Sequence, residues 1–199
     1  MATRTIDRPA EEVGAVAAVE AARPAERPRG AVAFGLTRIA LGFIFLWAFL
    51  DKAFALGFAT GRAEDGTIDV FAKGQAWLNG GSPTEGVLRY AVKGPLAGFF
   101  HGLAGAAWVD WVYMLSMLLI GGALMLGVAT RLAAIGGAIW MAIFYVATAM
   151  PPTYNPVIDE HIVYILVLVG LAQIGAGRFL GLQERWERLG LVRRFPVLK

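Results

Sequence analysis

The 199-residue chain contains no cysteine. That excludes disulfides, thiolate catalysis, iron–sulfur ligation by this chain and any persulfide carried on it. Histidine is almost as scarce, with only His101 and His161 present. Two histidines so far apart, with no thiolate to join them, do not make a haem or structural zinc set, so no metal site is expected. Charge is thin as well. Asp, Glu, Lys and Arg make up 17% of the chain, against roughly 25% in an average soluble domain. Alternating apolar and polar runs are missing, which argues against strands. No glycine-rich loop precedes a helix in the manner of a nucleotide motif.

Long apolar segments fill the chain instead, and 57% of it is hydrophobic. Val32–Phe58, Trp111–Val128, Leu132–Met150 and Val157–Gly177 each approach spanning length. Lipid tolerates only helices or closed barrels, so the prediction is an all-α integral membrane protein, an antiparallel bundle of four transmembrane helices. The net charge is +3, with arginines before the first segment, Arg131 between the second and third, and six basic residues from Arg178 onward. The positive-inside rule then predicts that both termini are cytoplasmic. It places an ordered connection, residues 59–108, and the PPTYNP turn outside. The basic tails suit topology and anionic lipid rather than nucleic acid, for which they carry no motif.

Residues 1–30 read as a disordered cytoplasmic tail. The apolar run within it, Val13–Val19, is too short for a signal peptide, so the first span is expected to act as an uncleaved insertion signal. The membrane domain is predicted over 31–182. Short amphipathic helices are expected over 86–107 of the outer loop, broken at Gly94–Pro95. A last amphipathic helix, in 183–199, would turn Trp186, Leu189 and Val192 toward lipid.

The fourth segment carries Asp159, Glu160 and His161 at its front edge. The apolar run behind them, Ile162–Gly177, is 16 residues, about 24 Å of helix against a hydrocarbon core of roughly 30 Å. The helix is therefore expected to begin near Pro156, drawing the three ionisable groups toward lipid, where such groups mark a site. Asp159, His161 and Tyr164 could relay a proton. The plainer alternative makes Asn155 the N-cap and Pro156 the first helical residue, with acids favouring the helix dipole.

Asp51, Lys52, Asp110 and Asp159 should gather at the outer level if the bundle closes. Lys52 is then either an ion-pair partner of Asp110 or Asp159, or an anchor for a small anion. On the first helix Arg38, Leu41, Phe45, Ala48 and Lys52 share a stripe, and Asp51 points away. Arg38 either snorkels to headgroups or faces the bundle, with Gln173 as its expected partner. It lies about 21 Å along the axis from Lys52, too far to share one small molecule. Trp108, Trp111 and Tyr154 suit an interface belt, or alternatively a box for stacking a quinone.

In order along the chain, Arg38-x3-Gly42 followed by Lys52, WLNGGSPTEG, GPLAGFF, VDW, NPVIDEH and GAGRFLGL resemble the DoxX/DoxD family of four-helix bacterial membrane proteins. The likeness runs from about Leu36 to Leu182. It implies a bacterial plasma-membrane protein. By analogy with DoxD, the large subunit of a thiosulfate:quinone oxidoreductase, it also implies a smaller DoxA-like partner and quinone as co-substrate. This chain would hold no cofactor itself. A reductant such as thiosulfate would reach the outer face, quinone would enter between helices, and His161 with Asp159 would handle protons. Lys52, Asp51, Asp110, Arg38 and Tyr164 are then the substrate-binding candidates. Other relatives belong to redox and oxidative-stress assemblies, which gives the alternative of a non-catalytic membrane subunit docking a soluble redox or stress-response enzyme. A transporter would want discontinuous helices and inverted halves. Only Pro151–Pro156 interrupts the pattern.

Overall fold

A computed structural model describes residues 29–153 and 156–198. The tail 1–28, Tyr154 and the expected cap Asn155 lie outside the described residues. The chain is helical, and among the described residues no strand forms beyond one isolated bridge between Arg62 and Ile68. The helices are α1 (Ala31–Phe54), α2 (Ala97–His101), α3 (Ala107–Leu126), α4 (Thr130–Phe144), α5 (Glu160–Gln173), α6 (Gln183–Glu187) and α7 (Gly190–Arg194). A π turn, Tyr145–Ala149, prolongs α4. Three of these helical stretches are long and apolar enough to cross a membrane: Ala31–Phe54, Ala107–Leu126 and Thr130–Ala149.

The four longest helices share one core built on Leu41, Phe45, Met114, Met117, Leu124, Met141, Leu168 and Leu171. Their outward side chains are apolar too, with Phe43, Leu119, Ile139 and Leu166 all exposed. Apolar residues on both faces suit helices surrounded by lipid. α1 and α3 meet backbone to backbone. A Cβ on Gly42 would lie 2.7 Å from the Met125 amide nitrogen, and one on Gly121 would strike Leu46 of α1. Small residues permit that approach. α3 ends at Gly127, whose φ of +67° suits glycine. A Cβ there would also meet the Arg38 guanidinium at 2.6 Å.

Arg38 near the start of α1 bonds to the end of α3 and to the segment after α5. At the other end the Tyr145 hydroxyl donates to the Val157 carbonyl at 2.6 Å. The four helices therefore run alternately up and down.

Two features depart from the sequence reading. α5 begins at Glu160, not near Pro156, because Asp159 is its N-cap. Asp159 has extended backbone, and its carboxylate accepts from the His161 and Ile162 amides. Those bonds satisfy first-turn donors that would otherwise be orphaned. The 14-residue helix is about 21 Å long. The tail forms two short helices rather than one, because the backbone turns extended at Leu189, with ψ of 136°. Val192 is fully buried instead of turned toward lipid.

Candidate functional site

The segment between α1 and α3 is tied down by two aspartates. Asp51, one residue before Lys52, accepts from the Phe58 amide at 3.0 Å and the Ala59 amide at 2.8 Å. The Thr60 hydroxyl adds a bond to the Asp51 carbonyl at 2.8 Å. Asp51 is therefore buried, at 1% exposure, under the chain that follows it. Asp110, in the first turn of α3, accepts from the Ser82 hydroxyl at 3.0 Å, the Thr84 hydroxyl at 2.6 Å and the Thr84 amide at 3.2 Å. Both carboxylates are spent on holding the loop.

That bonding settles what Lys52 lacks. No carboxylate lies within 4.0 Å of its ammonium among the described residues, and no hydrogen bond reaches it. The expected pairing with Asp110 or Asp159 does not form, because Ser82 and Thr84 hold the first and His161 the second. Asp51 acts on Lys52 through space.

Half-buried Lys52 lines a cavity of about 440 Å³. Residues 83–103 roof it through Thr84, Val87, Leu88, Phe99 and Phe100. Helix α3 supplies Trp108, Val112 and Tyr113, and α4 with its π turn supplies Trp140, Phe144 and Thr148. The Tyr113 ring packs edge-on against Trp140 at 5.5 Å. A second π turn, Val87–Ala91, lies in the roof. Such turns recur at functional sites. The roof is latched where the Lys93 amide donates to the Ala147 carbonyl at 3.0 Å. An apolar chamber with one ammionium-bearing side chain and a few hydroxyls has the make-up of a small-molecule site.

The other predicted site residues lie apart. His161 Nδ1 sits 2.7 Å from Asp159 Oδ2, but neither residue lines the chamber. The Phe144 ring, which does line it, has its centroid 6.2 Å from that of His161. Asp159, Glu160 and His161 each offer a ligand atom within 4.8 Å of the others, an arrangement that could hold a metal ion. Asp159 is already committed to the helix cap and to His161. Tyr164 packs against the core without a hydrogen-bond partner among the described residues.

Arg38 is fully buried at the opposite end. It donates to the carbonyls of Leu124, Met125, Phe179 and Leu180, the last three at 3.3, 3.1 and 3.1 Å. Gln173 is not its partner. The guanidinium caps the last turn of α3, where carbonyls have no helical donor. These bonds tie the start of α1 to the end of α3 and to residues 179–180.

Thr84, Tyr113, Trp140, Phe144 and Thr148 are the site residues that sequence reasoning missed. Trp140, Phe144 and Thr148 recur every four positions, which places them on one helix face. That spacing groups them, but the helix is apolar on its other faces too, with Ile135 and Ile139 exposed, so nothing in it marks this face as the lining one.

Asp110→Ala removes the acceptor of three donors. It is expected to cost roughly 2–4 kcal/mol, since bonds to a charged group contribute about 1.5–3 kcal/mol each and part is recovered by rearrangement. Limited proteolysis should then cut within 83–103, where the unaltered protein resists.

Compared with family models, curated proteins and solved structures, the chain finds no match in any of the three.

Proposed function

We propose that the chain is a four-span bacterial plasma-membrane protein of the DoxX/DoxD kind, with both termini cytoplasmic, that binds quinone in its outer cavity and serves the oxidation of a small reductant such as thiosulfate. One observation carries the reading: an apolar chamber of about 440 Å³ is lined by Lys52, which no carboxylate within 4.0 Å neutralises among the described residues. The quinone ring is assigned to the chamber that Trp108, Trp140 and Phe100 help to line. Its carbonyl accepts from the Lys52 ammonium, a charge-assisted bond strong in such surroundings.

The orientation rests on where the basic residues fall. Arg131 and Arg178 lie at the Arg38 end, and the tail adds Arg185, Arg188, Arg193 and Arg194. α5 packs along α4 through the shared core, and the chain on either side of it completes a fourth crossing.

Thiosulfate itself is a poor occupant, because a dianion loses its hydration among apolar walls. The reductant is therefore oxidised outside the chamber, at the outer face or on a DoxA-like partner. Two electrons and two protons convert quinone to quinol. The Asp159–His161 pair is assigned the protons, the His161 ring lying 6.2 Å, centroid to centroid, from that of Phe144, which lines the chamber. A second reading, docking of a soluble redox enzyme, is favoured by the exposed aromatics of the outer loop, Phe58 at 71% and Tyr90 at 82%.

The test supplies thiosulfate and decyl-quinone to the purified protein with whatever partner copurifies. Quinone reduction is expected, with a loss of about a hundredfold in His161→Ala, the range for a positioned acid–base group, and no change in quinone affinity. Turnover untouched by His161→Ala removes the proton role. No turnover, with a soluble enzyme held by the loop, supports docking instead.

A further inference from the structure

Two adjoining cavities lie at the Arg38 end, away from Lys52. One, of about 350 Å³, runs between α4 and α5 past Ala134, Ile135 and Val169. The other, of about 390 Å³, opens at the helix ends past Thr130, Arg178 and Gln183. Arg131, Ala172 and Gln173 line both. Sharing these walls, the two make an adjoining pair, the first apolar along the helices and the second polar at the helix ends. Ala134 and Ala172 create the apolar part, since larger side chains there would fill the gap between Ile135 and Val169.

The charge at the tip is unbalanced. Arg131 has no carboxylate within 4.0 Å among the described residues. Arg178 reaches Glu187, at 3.4 Å, and Gln183 Nε2 also donates to that carboxylate at 3.0 Å. Glu187 also lines the tip, and Arg131 is the guanidinium there that no carboxylate meets among the described residues. The N-terminus of α4 and the C-terminus of α5 meet here. Their dipole charges, about half a unit each and opposite in sign, offset one another. A negative group is therefore wanted at the tip, and an apolar chain along the groove.

We propose that this pair of cavities binds a phospholipid of net negative charge, its phosphate between Arg131 and Arg178 and one acyl chain lying against Ile135 and Val169. The site is independent of the Lys52 chamber. It differs from general lipid contact in being saturable and headgroup-selective.

Native mass spectrometry of the full chain in a neutral detergent tests it, with phosphatidylglycerol and phosphatidylcholine of the same acyl chains as probes. One saturable phosphatidylglycerol adduct is expected, about tenfold tighter than any phosphatidylcholine adduct. Arg131→Gln and Arg178→Gln should each weaken it about fivefold, the effect of one basic residue at an anionic headgroup, while Arg131→Lys keeps most of the affinity. Val169→Trp, which fills the groove from an exposed position, should weaken the adduct without moving the melting temperature. Soluble glycerophosphoglycerol should not bind. Equal affinity for the two lipids, or no change in either glutamine variant, overturns the proposal. Binding of the soluble headgroup as tight as the lipid's overturns it too, leaving a phosphate site.

Discussion

Replacing Arg38 with methionine is expected to leave the chain unable to hold its fold in detergent. The guanidinium donates to four backbone carbonyls from two separate segments. A buried acceptor stripped of its donor costs roughly 1–3 kcal/mol. Four of them approach the whole stability of an average domain, about 5–15 kcal/mol. Water entering the site recovers part of this, since three of the four bonds are only partly buried. Gly127 and Gly181 pack against the guanidinium, where a Cβ would come within 2.6 and 3.1 Å of its nitrogens. Lysine should not rescue the fold, because one ammonium cannot span acceptors on both sides. The measurement is the yield of monodisperse protein and its melting temperature. A methionine variant melting within about 3 °C of the unaltered protein, less than ~1 kcal/mol on this size of chain, contradicts the capping role.

Lys52→Met is expected to do the reverse, weakening quinone binding while leaving the fold at least as stable. An ammonium among apolar walls is costly when no counter-charge touches it. Methionine fills similar space without that cost. What is lost is the bond to the ligand. A hydrogen bond to a charged group contributes about 1.5–3 kcal/mol, so the dissociation constant should rise roughly 10–100-fold. Quenching of tryptophan emission reads this directly, since Trp108 and Trp140 line the chamber. If Lys52 instead serves only to balance Asp51 through space, the variant should lose stability and keep its quinone affinity.

The helical class and the three long apolar helices were legible from the length of the apolar runs and the scarcity of charge. The neighbourhood of Asp51, Lys52 and Asp110 was legible in part. What could not be read was how those charges are used. Asp110 is held by Ser82 and Thr84, well back in the loop, and no local pattern announces a bond across that separation. Opposite charges at one level suggest a salt bridge, yet backbone amides and hydroxyls took the acids first. The start of α5 was misplaced for a different reason. A length argument asked for a full crossing, whereas the Asp-Glu-His-Ile order is itself a capping signal that stops the helix at Asp159. Trp140 and Phe144 were missed because helices in lipid are apolar on every face, so periodicity does not separate the chamber wall from the outer surface.

Photolabelling with an azidoquinone, followed by peptide mapping, tests the central claim most directly. The label should fall on residues 83–103 and on the stretches 108–113 and 140–148, and should fade in Lys52→Met. Labelling confined to the groove between α4 and α5, or spread evenly over the outer helix faces, would contradict a quinone chamber beneath the loop.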